Sequence, residues 1–260
     1  MSMLELNGVT KNFGGIVACK DISLSVAPGQ VAGLIGPNGA GKTTVFNLIT
    51  GVYAPTAGSI SFAGQDITAI RPDKVVAHGI ARTFQNIRLF RNLTVLDNVR
   101  IAVDREVHYA LGVALVRSPR VKSREKEICA LAMERLEEVG LADKAEVRAD
   151  SLPYGLQRKL EIARALALRP RLLLLDEPAA GMNPEESQEL AGLVRTLHAR
   201  HELTILLIEH HMDVVMELCQ RIFVLDFGVK LAEGSAEEIQ TNPDVLRAYL
   251  GEGYKRVRSQ

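Results

Sequence analysis

The sequence has no tryptophan, and phenylalanine and tyrosine bring its aromatic share to only 5%. So few flat side chains leave no stacking platform for single-stranded nucleic acid. Net charge is missing too, with 31 Lys and Arg against 31 Asp and Glu, which argues against a generally basic nucleic-acid binder. Three cysteines occur, Cys19, Cys129 and Cys219, and no two form a C-x-x-C pair. An odd, scattered set builds no disulfide framework. Reduced, partly buried thiols in a cytosolic protein are expected instead. No apolar run approaches the ~20 residues that span a bilayer. The longest, Tyr109–Val116 and Thr204–Ile208, are of core size. Residues Met1–Asn7 lack the basic region and apolar stretch of a signal peptide. Together these absences lead to the expectation of a cytoplasmic protein whose membrane role, if any, runs through a partner.

What is present is the balance of a soluble globular chain, 260 residues with 47% hydrophobic and 24% charged. That composition excludes intrinsic disorder, and the length suits one large α/β domain or a core with an inserted subdomain. Met3–Val9 and Cys19–Val26 alternate apolar and polar residues like half-buried antiparallel strands, with a turn at Asn12–Gly15. Val31–Ile35, Leu172–Leu175 and Thr204–Ile208 are apolar on both faces, as central parallel strands are. Lys42–Thr50 reads as a helix closed by Gly51. Ile128, Leu131, Ala132, Leu136 and Val139 follow helical spacing, with Gly140 just past the end. Leu156, Leu160, Ala163 and Ala167 mark a further helix. Ile222–Leu225 and Val229–Ala232 flank a hairpin turn at Asp226–Gly228, and the chain is helical again from Pro243 to Leu250. The two ends thus form one core, 1–85 with 161–260, and 86–160 is a helical insertion.

Gly36-Pro37-Asn38-Gly39-Ala40-Gly41-Lys42-Thr43 fits the phosphate-binding loop G-x-x-x-x-G-K-[ST], with a strand before it and a helix after it. Its glycines let successive N–H groups turn inward as an anion nest, and the helix adds its N-terminal dipole. Lys42 can reach the β- and γ-phosphates, and Thr43 can offer its hydroxyl to Mg²⁺. Asp176 and Glu177 end the buried run Leu172–Leu175, where ligands sit in parallel sheets. Asp176 suits a Mg²⁺-bound water and Glu177 the base that polarises an attacking water. Without the phosphate loop, both are equally read as solvated carboxylates capping a strand. Gln85 is a candidate Mg²⁺ or water ligand, His210 a γ-phosphate partner, and Phe13 an adenine-stacking ring. Each of the three also has an ordinary reading, as a surface amide, a loop imidazole and a turn-packing ring. His210 and His211 do not share a helix face and lie in no ligand cluster, so a transition-metal site is rejected.

In this order the motifs resemble the ATP-binding subunit of ABC transporters over essentially the whole chain. The resemblance makes Phe13 the A-loop aromatic, Gly36–Thr44 with Thr44 at its end the Walker A segment, and Gln85 the Q-loop. It makes Pro153, Tyr154, Gly155 and Leu156 part of the signature segment Leu152–Gln157. Leu172–Glu177 becomes Walker B, Asn183 the D-loop position and His210 the switch histidine. It implies an α/β P-loop NTPase fold: a mostly parallel sheet, an N-terminal antiparallel β part and an inserted α-helical subdomain. It also implies an ATPase using ATP and Mg²⁺, with two sites formed between two such subunits.

The stretches Gly79–Phe90, Glu161–Arg164, Ala179–Pro184 and Asn242–Gly251, with the insertion Val107–Lys122, resemble the branched-chain amino-acid importer branch. Within it the G-type of two distinct ATPases matches better. The implied partners are an F-type second ATPase or a second copy, two permeases and, indirectly, an external binding protein. The implied location is the cytoplasmic face of the inner membrane, reached through the permeases. Four positions depart from the family pattern: Pro153 for Ser, Leu156 for Gln, Asn183 for Asp and His211 for Asp. The lipopolysaccharide-export ATPase is the nearest rival. Non-transport ABC ATPases carry coiled coils or paired cassettes that this chain lacks, a P-loop kinase leaves Leu152–Gln157 unexplained, and a nucleotide sensor has no use for Glu177 and His210. The basic residues Arg117, Arg120, Lys122, Arg124 and Lys126 read as a solvated helix face, and Lys255, Arg256 and Arg258 as a frayed tail.

Overall fold

The computed structural model describes residues 2–104 and 119–249. Tyr109–Val116, most of the insertion Val107–Lys122 and the tail Lys255–Arg258 lie outside the described residues. The chain divides into two compact units. The first contains residues up to Arg82 and those from Arg171 onward; the second is Thr83–Pro170. In chain order the elements are β1 (Leu4–Phe13), β2 (Ile16–Val26), β3 (Val31–Ile35), α1 (Lys42–Ile49), β4 (Ala57–Phe62), β5 (Gln65–Asp66), α2 (Pro72–Ala77) and β6 (Ile80–Arg82). The second unit supplies α3 (Val95–Asp104), α4 (Pro119–Glu138) and α5 (Tyr154–Ala167). The first unit resumes with β7 (Leu172–Asp176), α6 (Pro184–His201), β8 (Thr204–Ile208), α7 (Met212–Leu218), β9 (Arg221–Asp226), β10 (Val229–Gly234) and α8 (Ala236–Thr241). Residues 243–249 are helical.

The first unit has two sheets. One is antiparallel, in the order β2-β1-β4-β5; the other runs β10-β9-β3-β8-β7-β6 and is parallel except for β10. This is the expected fold class. β3, β7 and β8 are buried along their whole length. β8 lies between β3 and β7, so the strand ending in Asp176 is one place removed from the strand feeding the phosphate loop. α1 contributes Val45, Phe46, Leu48 and Ile49 to a core shared with Leu4, Leu6, Ile22 and Ile60 of the antiparallel sheet. Leu34, Leu174, Leu206 and Phe223 of the parallel sheet complete it.

The first hairpin is longer than its hydrophobic alternation indicates. β1 runs to Phe13 and β2 starts at Ile16, so Gly14-Gly15 alone makes the turn where Asn12–Gly15 was expected. Bulges between Leu6 and Asn12 break the register, and the ladder beyond them is held by backbone bonding while Ile16 and Val17 are exposed. Alternation therefore carries no signal there. The second hairpin agrees with expectation: Asp226 pairs with Val229, and Phe227 and Gly228 turn with φ 42° and 78°, as a two-residue hairpin turn requires. Both backbone groups of Gly228 are engaged. The Gly228 N–H donates to Ala40 O at 3.1 Å and Gly228 O accepts from the Lys20 N–H at 2.7 Å. A Cβ on Gly228 would lie 2.7 Å from Ala18 O.

The second unit is helical around Val95, Val99, Ile128, Ala132, Leu136, Leu160 and Ala163, all buried. α5 begins at Tyr154, two residues before the expected start, because Pro153 holds φ at −53° as the N-cap and its carbonyl accepts the Gln157 N–H at 3.0 Å. Arg158 of α5 is 0% exposed. It pairs with Glu161 at 2.8 Å and donates to the carbonyls of Phe84 at 2.6 Å and Gln85 at 2.9 Å. Glu161 in turn accepts the Phe84 N–H at 3.2 Å, so the loop carrying Gln85 is pinned to the helix that follows Pro153. Burial raises the Glu161 pKa, against the opposing pull of Arg158.

Candidate functional site

β3 delivers the chain into the phosphate loop, and two glycines there are sterically required. Gly36 has φ 148°, and a Cβ on it would lie 2.1 Å from Leu225 O. Gly41 has φ 101°, and its Cβ would lie 2.9 Å from Ala18 O. Gly41 is also the N-cap of α1, whose start has neither a side-chain cap nor an acidic residue in its first turn. Its first amides are therefore suited to an anion. Pro37 is half-buried, Asn38 and Gly39 are exposed, and Ala40 is buried. Thr43 is exposed and Thr44 half-buried on the first turn of α1. Lys42 is 6% exposed and folds back on its own loop, donating to Gly36 O at 2.7 Å and Pro37 O at 2.9 Å. Burial lowers its pKa, opposed first by the charge of Glu177 and then by that of Asp176. The Tyr249 phenol, from the helix over 243–249, is pushed up to about 12 by burial, with the Gly36 backbone opposing.

Asp176 closes β7, and its Oδ2 accepts from Arg82 Nη2 at 2.7 Å. Sequence reasoning missed Arg82, which ends β6. The same guanidinium donates to Asn47 Oδ1 at 2.7 Å and Thr50 Oγ1 at 3.3 Å and lies 5.4 Å from the centre of the Phe46 ring. Glu177 follows with φ 48°, a left-handed conformation that costs a non-glycine residue about 1–3 kcal/mol and concentrates at functional positions. Its N–H donates to Ile208 O at 2.9 Å, and its Oε1 lies 2.8 Å from His210 Nε2. Glu209, also missed, is buried between the loops that carry this pair. Nothing in the run Leu207–His211 distinguishes a buried acid from a solvated one.

The other candidates occupy their own places. Gln85 is exposed in the second unit, as are Pro153 and Tyr154, while Gly155 and Leu156 are half-buried there. The Tyr154 hydroxyl accepts from Arg158 at 3.0 Å. Asn183 caps α6: its Oδ1 accepts the Glu186 N–H at 2.9 Å, and its own N–H donates to Glu186 Oε2 at 3.0 Å. Phe13 is exposed at the hairpin tip and meets Tyr53 edge-on at 5.0 Å, with Lys11 Nζ 5.0 Å from its centre. Phe90 is 46% exposed, held by a backbone bond to the buried Asn98 at 2.9 Å; Leu89 is half-buried. The Gly36 and Pro37 carbonyls on Lys42 and the carboxylates of Asp176 and Glu177 that act on it are oxygen ligands, which suits Mg²⁺, a cation that keeps waters and shares phosphate oxygens. No cluster of three or more His, Cys, Asp or Glu able to hold a metal occurs among the described residues. No helix among them is long and apolar enough to cross a membrane.

Residues 19–180 match the family described as ABC transporter, and residues 229–255 match the one described as branched-chain amino acid ATP-binding cassette transporter. The chain is 46% identical over 250 residues to the high-affinity branched-chain amino acid transport ATP-binding protein BraF of Pseudomonas aeruginosa, covering 96% of this chain and 98% of that one. It is 44% identical, with the same coverage, to LivG of Escherichia coli K12, which bears the same description. Among solved structures, an ATP-binding cassette of an ABC transporter superposes with a TM-score of 0.84 at 32% identity, covering 96% of this chain and 99% of the other.

Proposed function

The chain belongs to the ABC transporter family, an ATP-binding ATPase within it, and we propose from that membership that it drives an importer for branched-chain amino acids. The observation that carries the reading is the convergence of Lys42, Asp176 and the Glu177–His210 pair beside one phosphate loop. The branched-chain assignment is supported by the match at residues 229–255, which lies outside the nucleotide motifs.

In this reading the amides of Gly36–Thr44 cradle the phosphates of ATP. Phosphate oxygens outcompete the carbonyls of Gly36 and Pro37 for the Lys42 ammonium, because charge-assisted bonds are stronger than neutral ones. Thr43 and Asp176 would hold Mg²⁺, with Gln85 as a further oxygen donor, and the ion would neutralise phosphate charge. Glu177 takes a proton from the attacking water as that oxygen bonds the γ-phosphorus and the bond to ADP breaks. His210 holds Glu177 and faces the γ-phosphate, and Phe13 stacks on adenine. A partner subunit supplies its signature segment to this site, and Pro153–Leu156 with Asn183 serve the partner's site. The partner is an F-type ATPase or a second copy.

Closure of that dimer on ATP and reopening after hydrolysis move two permeases. Phe90 with Leu89 is the apolar surface offered to one of them. The subunit then works on the cytoplasmic face of the inner membrane, and an external binding protein delivers the amino acid.

The test is reconstitution with the permeases and ATPase partner in vesicles, measuring ATP-dependent uptake of labelled leucine. Uptake that requires Lys42 and Glu177 is expected. Uptake indifferent to Lys42→Ala, or ATPase activity that branched-chain amino acids and their binding protein fail to stimulate, refutes the reading.

A further inference from the structure

Glu209 stands one residue past β8 and is 1% exposed. Its Oε1 accepts the Ala179 N–H at 2.7 Å. Its Oε2 accepts the N–H groups of His210 at 2.9 Å and His211 at 3.3 Å, and lies 3.2 Å from His211 Nδ1. Ala179 is two residues beyond Glu177, and His210 carries the other half of the pair. One carboxylate therefore grips the backbone on both sides of the bond between Glu177 and His210. The grip runs between the ends of neighbouring strands: β7 and β8 pair up to Asp176 and Ile208, and the last rung above them is the Glu177 N–H on Ile208 O.

The chemistry needed at this point is specific. An ionised carboxylate is acceptor-only, so both of its oxygens can face N–H donors at once. A glutamine would turn an NH₂ donor toward one of those donors. With Glu209 buried and both oxygens occupied, nothing in its geometry lets it touch a nucleotide.

We propose that Glu209 is a positioning residue for hydrolysis: it fixes the loops after β7 and β8 so that Glu177 and His210 meet. This rests on the roles proposed above for those two residues. A displacement of about 1 Å in a catalytic group costs on the order of 100-fold, which sets the scale of the effect.

The experiment is steady-state ATPase kinetics of the full chain with Mg²⁺ and ATP, in wild type, Glu177→Gln, Glu209→Gln, Glu209→Asp, His210→Ala and the two Glu209 variants combined with His210→Ala. Glu209→Gln should lower kcat by roughly 10- to 100-fold while the KM for ATP moves by less than about twofold. Glu209→Asp keeps the carboxylate and should recover part of the rate; it also carries the same cycle if the Gln variant does not fold. In the His210→Ala background either substitution should change kcat by less than about threefold, because residues acting through one another are not additive. An equal loss of kcat in both backgrounds, a KM that rises as kcat falls, or a Gln variant at the wild-type rate overturns the proposal. If His210→Ala and Glu177→Gln themselves retain full activity, the pair has no role and the positioning assignment goes with it. Loss in those two with none at Glu209 overturns the positioning role alone.

Discussion

Replacing Arg82 with methionine isolates the charge that faces Asp176. Methionine is also long and flexible, so it keeps much of the packing on Phe46 and leaves little cavity. What disappears is the 2.7 Å bond to Asp176, together with the bonds to Asn47 and Thr50. The two side chains are only 7% and 3% exposed, so water cannot replace the guanidinium. Removing one member of a buried ion pair costs about 3–5 kcal/mol. For a chain of this size that is a fall in Tm of roughly 6–20 °C. Replacing both members, with Arg82→Met and Asp176→Leu together, should cost less than the sum of the two single changes. A coupling of about 1–3 kcal/mol is expected between residues in direct contact. Calorimetry and urea melts of the nucleotide-free protein measure all four corners of this cycle. A loss below about 1 kcal/mol for Arg82→Met, or strict additivity in the double variant, refutes the argument that the pair is buried and mutually dependent.

Glu177→Gln should bind ATP as wild type does and lose about 10²–10⁴ in hydrolysis rate; a single-turnover rate equal to wild type would reduce Glu177 to a strand cap. Gly36→Ala should abolish ATP binding in equilibrium dialysis, because its Cβ meets Leu225 O at 2.1 Å; retained affinity would mean that the loop relaxes freely. Burial pushes the Cys19 thiol up to about 11 and the Cys219 thiol up to about 12, from an ordinary 9.0. Only the unfolded chain then releases these protons just above that value, so their contribution is complete below pH 9.0 and is lost as pH rises through 11 and 12. Cys129, half-buried, should be alkylated before either of them in the native protein, as mass spectrometry would show. Pro153 offers α5 neither a hydroxyl nor an N–H, so Pro153→Ser should speed ATP hydrolysis at the proposed composite site; an unchanged rate, alone and with the proposed F-type partner, would make Pro153 a neutral helix entry.

The parallel strands and the phosphate loop were legible because continuous apolar runs and glycine spacing are local signals. Val31–Ile35 and Thr204–Ile208 are bounded as their composition indicates. Lys42 could be singled out from the glycine spacing, and Asp176, Glu177 and His210 from their places at or just past the ends of such runs. Arg82, Arg158, Glu161 and Glu209 were not singled out as functional. Charged residues carry no local mark of burial, and all four also bond residues distant in sequence, Asp176 for Arg82, the loop at Phe84 for Arg158 and Glu161, and Ala179 for Glu209. The tip of the first hairpin was misjudged because its ladder depends on backbone bonds that no side-chain pattern records.

The turn at Phe227-Gly228 combines a side chain 89% exposed to solvent with a backbone bonded to Ala40 of the phosphate loop and to the β2 residue Lys20. That pairing makes position 227 a listening post for the nucleotide. A fluorophore attached through Phe227→Cys would hang in solvent, while the next residue, Gly228, shares a hydrogen bond with the loop proposed to receive the phosphates. The same geometry makes this turn a poor place to insert an epitope tag, since lengthening it would pull Gly228 away from both the phosphate loop and β2.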